Sequence, residues 1–302
     1  MAMPMLTDSG LETWLVFLQG VDLPDFAAFP LLDDPTGREL LATYFRDHLR
    51  VASQAGTGVV LETPTWRANR DWGARLGYDA DALDRVNRDA VGFVRGLGQE
   101  VDGVELVVSG NIGPRGDGYD PQELLSPDVA AAYHRAQIDS FVAAGADRVT
   151  MLTATHTGEA IGVVRAATDA GIPVVVAFTV ETDGRLPSGQ PLHEAITEVD
   201  RATESAALHF GVNCAHPDHF ADALDVDPAA TARIVLLRAN ASRASHAELD
   251  EAEELDDGDP IELASQYAAL LRRHPHVGVL GGCCGTDVRH VEAIAGACVT
   301  NR

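Results

Sequence analysis

The sequence predicts a single α/β domain of the (β/α)8 TIM-barrel type, spanning residues 1–302. Three observations predict it. Eight short apolar segments rich in Val, Ile, Leu and Thr alternate with longer stretches of helical spacing. Segments such as 58–63 and 173–179 lack clean polar–apolar alternation, as when both faces of a parallel strand are buried. No Gly-x-Gly-x-x-Gly follows a strand and no P-loop occurs, so a doubly wound sheet lacks its usual marks.

In chain order the strands are predicted at 5–8, 58–63, 105–111, 148–153, 173–179, 207–213, 234–240 and 277–282. Helices are predicted around 36–55, 81–97, 126–144, 158–170, 191–205, 219–224, 260–273 and 287–297. Ser126-Pro127 reads as an N-cap followed by proline at the first helical position, with Asp128 adding negative charge to the first turn. Gly56, Gly145 and Gly171 each follow a helix just before a strand, the recurring C-terminal stop of successive units. Two connections are long, 15–34 and 242–259. The second carries Glu248, Asp250, Glu251, Glu253, Glu254, Asp256 and Asp257, and reads as a solvated loop or helix start.

Composition narrows the function. The chain has 22 basic and 46 acidic residues, a formal net charge of −24, and every basic residue is arginine. Without lysine there is neither a Schiff-base amine nor a Walker-type phosphate lysine. The acidic balance argues against nucleic-acid and anionic-membrane partners. An acidic, lysine-free chain suits a high-salt cytoplasm, or a GC-rich genome that favours arginine. No apolar run is long enough to span a bilayer, and the first nine residues have neither the basic start nor the apolar run of a signal peptide, so a cytoplasmic location is expected.

In such a barrel the active site forms at the C-terminal strand ends. Those ends carry Asp8, Glu62, Thr63, Asn111, Thr153, Asn213, Cys214, Asn240, Cys283 and Cys284. Three of the four cysteines therefore fall on the sixth and eighth strand ends, while Cys298 reads as a buried small hydrophobe of the last helix. Glycines flanking Cys283-Cys284 free the backbone to turn both thiols toward one point. Three thiolates and no histidine suit an open tetrahedral zinc site. Such an electron-rich metal leaves a bound substrate sulfur nucleophilic, which points toward sulfur alkylation and away from hydrolysis.

Gly211-Val212-Asn213-Cys214 together with Gly281-Gly282-Cys283-Cys284-Gly285-Thr286 resembles the zinc motif of the homocysteine S-methyltransferase family. Thr7-Asp8-Ser9-Gly10, Ser109-Gly110-Asn111-Ile112-Gly113-Pro114, and Asp287 with His290 and Ile294 extend the resemblance from about residue 6 to 297. The resemblance implies a zinc-dependent barrel methylating a thiol or selenol, with homocysteine giving methionine as the leading reaction. It implies Cys214, Cys283 and Cys284 as metal ligands, and Asp8, Glu62, Thr63 and Asn213 at the substrate. The expected partners are a small thiol acceptor and a methyl donor. The donor is a sulfonium, a quaternary ammonium or a separate methyl-carrier protein, and a homo-oligomer is compatible with the sequence.

Three departures bear on the acceptor. The first motif reads Asp8-Ser9-Gly10 where the family has Asp-Gly-Gly, and the second strand ends Glu62-Thr63-Pro64-Thr65 instead of Thr-Asn-Thr. Leu152-Thr153 stands where the family often has a Glu-Thr pair, removing a carboxylate that would meet the substrate amine. Glu62 and Glu12 are the candidate replacements, and the alternatives are a different thiol or selenol acceptor, or a thiol-delivering zinc module working with a partner corrinoid or pterin methyl-carrier protein. Trp14, Trp66, Trp72, Tyr119 and Tyr133 are read as core or donor-pocket aromatics, and His156 as an exposed loop residue. His216 and His219 are left out of the metal site.

Overall fold

In the computed structural model, which describes residues 4–119, 121, 124–252 and 254–299, eight parallel strands close into a barrel in sequence order. They are β1 (Met5–Thr7), β2 (Val59–Glu62), β3 (Leu106–Ile112), β4 (Arg148–Ala154), β5 (Val174–Phe178), β6 (His209–Asn213), β7 (Ile234–Ala239) and β8 (Val279–Gly282). All eight lie where the apolar runs predict them. The principal helices are α1 (Pro35–Ala55), α2 (Ala80–Gly98), α3 (Pro127–Ala143), α4 (Thr157–Ala170), α5 (Leu192–Ala202), α6 (Pro217–Phe220), α7 (Pro260–Arg273) and α8 (Val288–Cys298).

Local chemistry sets their ends. Asp34 caps α1 by accepting from the Gly37 amide at 2.7 Å, ahead of Pro35 at the first helical position. Gly56 and Gly171 stop α1 and α4 in the left-handed conformation, and Gly145 does the same just beyond α3. Ser126 occupies the N-cap position of α3, yet its side chain makes no capping bond; Pro127 carries the start instead.

Two apolar layers hold the barrel. The larger lies between strands and helices, where residues such as Phe45, Phe141, Phe178, Phe210 and Tyr267 are fully buried. The smaller fills the lumen with Val60, Leu152, Val175, Ala177, Leu236 and Val279. Above that plug, toward the C-terminal strand ends, the interior turns polar. Among the described residues no helix is long and apolar enough to cross a membrane.

His48 of α1 links the outer layer to the first strand end. Its Nδ1–H donates to the Tyr44 carbonyl at 2.8 Å, so its Nε2 is left to accept from the Ser9 hydroxyl at 2.9 Å. Burial pushes this histidine down to about 4. The unfolded chain takes up its proton near pH 6.5, so this contribution to stability is present above pH 6.5 and lost as pH falls toward 4. Urea unfolding should therefore show the wild type losing ground to His48→Gln by up to about 1.4 kcal/mol per pH unit across that window. A gap that stays constant with pH would contradict the assignment.

Candidate metal centre and active-site cavity

Cys214 follows β6, and Cys283-Cys284 follow β8. Their Sγ atoms converge: Cys214 lies 3.0 Å from Cys283 and 3.5 Å from Cys284, and all three sulfurs fall within 4.8 Å of one another. Among the described residues no other His, Cys, Asp or Glu cluster meets that criterion. Backbone geometry builds the convergence. Cys214 sits at φ 56°, a left-handed turn that swings its thiol away from the strand direction. A Cβ on Gly10 would stand 2.4 Å from the Cys283 carbonyl oxygen, so glycine there lets the β1 loop press against the cysteine pair.

The sulfurs share charge unevenly. The thiols of Cys214 and Cys284 both favour an anion on Cys283, which drops well below the usual thiol range, helped by Arg238. The same interactions push Cys214 and Cys284 up. Close packing of the three sulfurs opposes ionising all of them, and a positive centre at their focus would relieve that repulsion. The donor set fits zinc, with three sulfurs and a fourth position facing a cavity.

That cavity has a volume of about 580 Å³ and brings together Asp8, Glu62, Thr63, Asn213, Cys214, Cys283 and Cys284. Their hydrogen bonds differ in kind. Asn213 Oδ1 accepts from the Thr153 amide at 2.8 Å, and its Nδ2 donates to Thr153 Oγ1 at 3.0 Å, tying the ends of β4 and β6 together. Thr153 is held at φ 62°, an unusual conformation for a β-branched residue, so this reciprocal pair fixes a strained turn beside the cysteine cluster. Thr63 Oγ1 accepts from the Asn111 amide at 3.0 Å and meets Thr65 Oγ1 at 2.7 Å, while Thr65 donates to the Asn111 carbonyl. The Thr63 hydroxyl is thus engaged within the loop.

Both predicted substrate carboxylates face buried arginines. Asp8 Oδ1 lies 2.5 Å from Arg238 Nη1. Burial pushes Asp8 up to about 7, with Arg238 pulling the other way. Arg238 also donates from Nη2 to the Ser9 carbonyl and from Nε to the Gly282 carbonyl, both at 3.1 Å. One guanidinium therefore ties the ends of β1, β7 and β8 next to Cys283. Glu62 Oε1 lies 3.7 Å from Arg148 Nη2 deeper in the lumen. Burial raises Glu62, opposed by Arg148.

Other groups come from the loops. Tyr119 places its hydroxyl 3.2 Å from Cys214 Sγ and 3.7 Å from Cys284 Sγ. Burial and the neighbouring thiols hold this phenol well above its ordinary range, so it stays protonated beside the sulfurs. Its ring stacks on His246, with centroids 4.1 Å apart. His246 Nε2–H in turn donates to the Cys214 carbonyl at 2.7 Å. Trp66 and Trp72 line the cavity, and the Arg67 guanidinium lies 4.1 Å and 3.7 Å from their ring centres. Trp14 packs on Tyr44, with ring centres 5.4 Å apart.

One expectation is corrected, that of an exposed His156. The acidic segment, read as a solvated loop or helix start, opens with a short helix, His246–Asp250, begun by a Ser245–Glu248 capping box, and its Glu248, Asp250, Glu251, Glu254 and Asp256 are exposed. Its Leu249, Asp250, Ala252, Glu254, Leu255 and Asp256 line the cavity; Glu253 lies outside the described residues. His156 is only 5% exposed and caps α4 by accepting from the Glu159 amide, because its ring turns inward toward Glu159. His216 caps α6 and His219 reaches the Arg243 carbonyl, both apart from the thiol cluster.

A closed (β/α)8 barrel presenting three convergent thiols and an open cavity at its C-terminal strand ends is the architecture of a thiol-handling metalloenzyme. Residues 5–298 match the family described as homocysteine S-methyltransferase, and the chain belongs to that family. Among solved structures it is similar to the homocysteine methyltransferase MmuM from Escherichia coli. For the oxidized form the TM-score is 0.79 at 20% identity, covering 97% of this chain and 95% of that one. For the metallated form the TM-score is 0.77 at 20% identity, covering 98% and 96%. At these identities the likeness establishes the shared barrel. Homocysteine S-methyltransferase YbgG from Bacillus subtilis (strain 168) is 24% identical over 198 residues, 63% of this chain and 60% of that protein's length.

Proposed function

We propose that this chain is a cytoplasmic zinc-dependent S-methyltransferase that methylates homocysteine to methionine. The observation that carries the reading is the meeting of Cys214, Cys283 and Cys284 at one focus on an open cavity. Zinc bound there supplies the positive charge that keeps an incoming thiol deprotonated at neutral pH.

The remaining work falls to the protein. Arg238 fixes the strand ends that carry Asp8 and Cys283, and the Asn213–Thr153 pair fixes the turn into Cys214. The Tyr119 hydroxyl is hydrogen-bonded to the Cys214 sulfur and lines the cavity beside the cysteines. Leu152 and Trp66 give the cavity an apolar wall that sheds water from the attacking sulfur. The acceptor sulfur is held for in-line attack on the methyl carbon while the methyl–donor bond breaks and its electron pair leaves with the donor, and most of the rate gain comes from that positioning.

Carboxylates of Asp117, Asp250, Glu254 and Asp256 line the cavity and favour a small cationic donor, which a methyl sulfonium such as S-methylmethionine satisfies. The isolated chain should form methionine from homocysteine and S-methylmethionine, and should lose that activity on chelation and recover it with zinc. Undiminished turnover in the metal-free protein would overturn the reading.

A further inference from the structure

Resting on that reading, a question of charge arises. An amino-bearing thiol brings an ammonium group into the cavity a few bonds from its sulfur, and a buried cation needs a carboxylate partner. Leu152 supplies none from β4. Asp8 and Glu62, the strand-end carboxylates, face Arg238 and Arg148. Using either for the substrate would leave a buried guanidinium sharing its counter-charge.

Glu12 is in a different position. It follows the β1 loop that presses on the Cys283 backbone, it is half-buried, and it lines the same cavity as all three cysteines. Among the described residues it has no ion-pair partner. Its carboxylate feels the charges of Cys283, Asp8, Arg238 and Arg67, neither arginine close enough to form an ion pair, and accepts a bond from its own amide. Asp25, another carboxylate of the cavity, is paired with Arg75 at 2.5 Å. Burial lifts Glu12 to about 7, an energetic cost that a substrate cation alongside would relieve.

We infer that Glu12 is the specificity residue for the acceptor, receiving the ammonium group of the thiol substrate from the segment that follows β1. A thiol lacking the amino group gains nothing from Glu12.

The test compares homocysteine with 4-mercaptobutanoate, the same thiol without its amine, on the zinc-loaded wild type, Glu12→Gln and Glu12→Asp. Glu12→Gln should raise KM for homocysteine about 10–100-fold, the loss of one charge-assisted contact. KM for 4-mercaptobutanoate should change less than about 2-fold, and Glu12→Asp should fall between. Thiol-induced changes in the visible bands of the cobalt-substituted variants should give the same order of affinities without turnover. An unchanged KM for homocysteine, or an equal rise for both thiols, would overturn the inference. If the wild type neither binds nor methylates either thiol, the methyltransferase reading itself fails, and Glu12 with it. An unchanged far-ultraviolet circular dichroism spectrum shows that each variant is folded.

Discussion

Serine at position 214, 283 or 284 is expected to abolish both metal retention and methyl transfer while leaving the barrel folded. A serine hydroxyl stays protonated at neutral pH, so the site loses one of three anionic donors. Thiolate zinc sites in small peptides are worth about 10–16 kcal/mol, so one thiolate in three corresponds to on the order of 4 kcal/mol, or about 10³-fold in metal affinity. The fold should survive because the two apolar layers that close the barrel do not depend on these side chains. Cys298, 2% exposed and packed in α8, provides the control: Cys298→Ser should keep full metal content. Elemental analysis alongside circular dichroism checks both statements. Stoichiometric zinc in any of the three single variants would remove that residue from the site.

The second large effect concerns Arg238. Replacing it by methionine leaves Asp8 buried opposite an apolar group and frees the Ser9 and Gly282 carbonyls, with a cost of about 3–5 kcal/mol in unfolding free energy. Removing both charges together, as Asp8→Asn with Arg238→Met, should recover much of that loss, because the penalty comes mainly from the stranded partner. Urea unfolding at pH 8, where Asp8 is ionised, should give a coupling energy of roughly 2 kcal/mol or more. Additive single effects would mean that the contact carries no such energy. Arg238→Met should also weaken metal binding, since the same guanidinium anchors the strand end bearing Cys283.

The contrast between these two sites shows where sequence reading reaches. The eight strands, the glycine stops and the three cysteines were legible because each depends on local pattern: apolar runs, left-handed caps, thiols flanked by glycine. Barrel topology then dictates that strand ends meet, which is enough to gather Cys214 with Cys283 and Cys284. The pairing of Asp8 with Arg238 was not legible. Arg238 sits inside the apolar run of β7 and gives no local sign that it faces β1. The same holds for Arg148, the first residue of β4, which reaches Glu62 through the stagger that pairs Glu62 with Ser109 and Ser109 with Arg148.

Loops were harder still. The acidic segment reads as solvated and its carboxylates are exposed, but no periodicity shows that Leu249 and Leu255, half-buried between them, line the cavity mouth. Tyr119 sits in an irregular connection whose path no periodicity describes; only its stacking on His246 explains how its hydroxyl reaches Cys214. The strained φ of Thr153 and Cys214 is equally silent in the sequence, since neither residue type announces a left-handed turn.

If the three thiols hold a metal whose open position accepts the sulfur of homocysteine, the visible absorption spectrum of the cobalt-substituted protein should respond to that thiol. Intense thiolate-to-cobalt bands are expected, and they should shift and strengthen when homocysteine is added and a further sulfur enters the coordination sphere. Thiolate bands that ignore homocysteine would contradict that assignment, leaving a metal centre whose acceptor is another molecule.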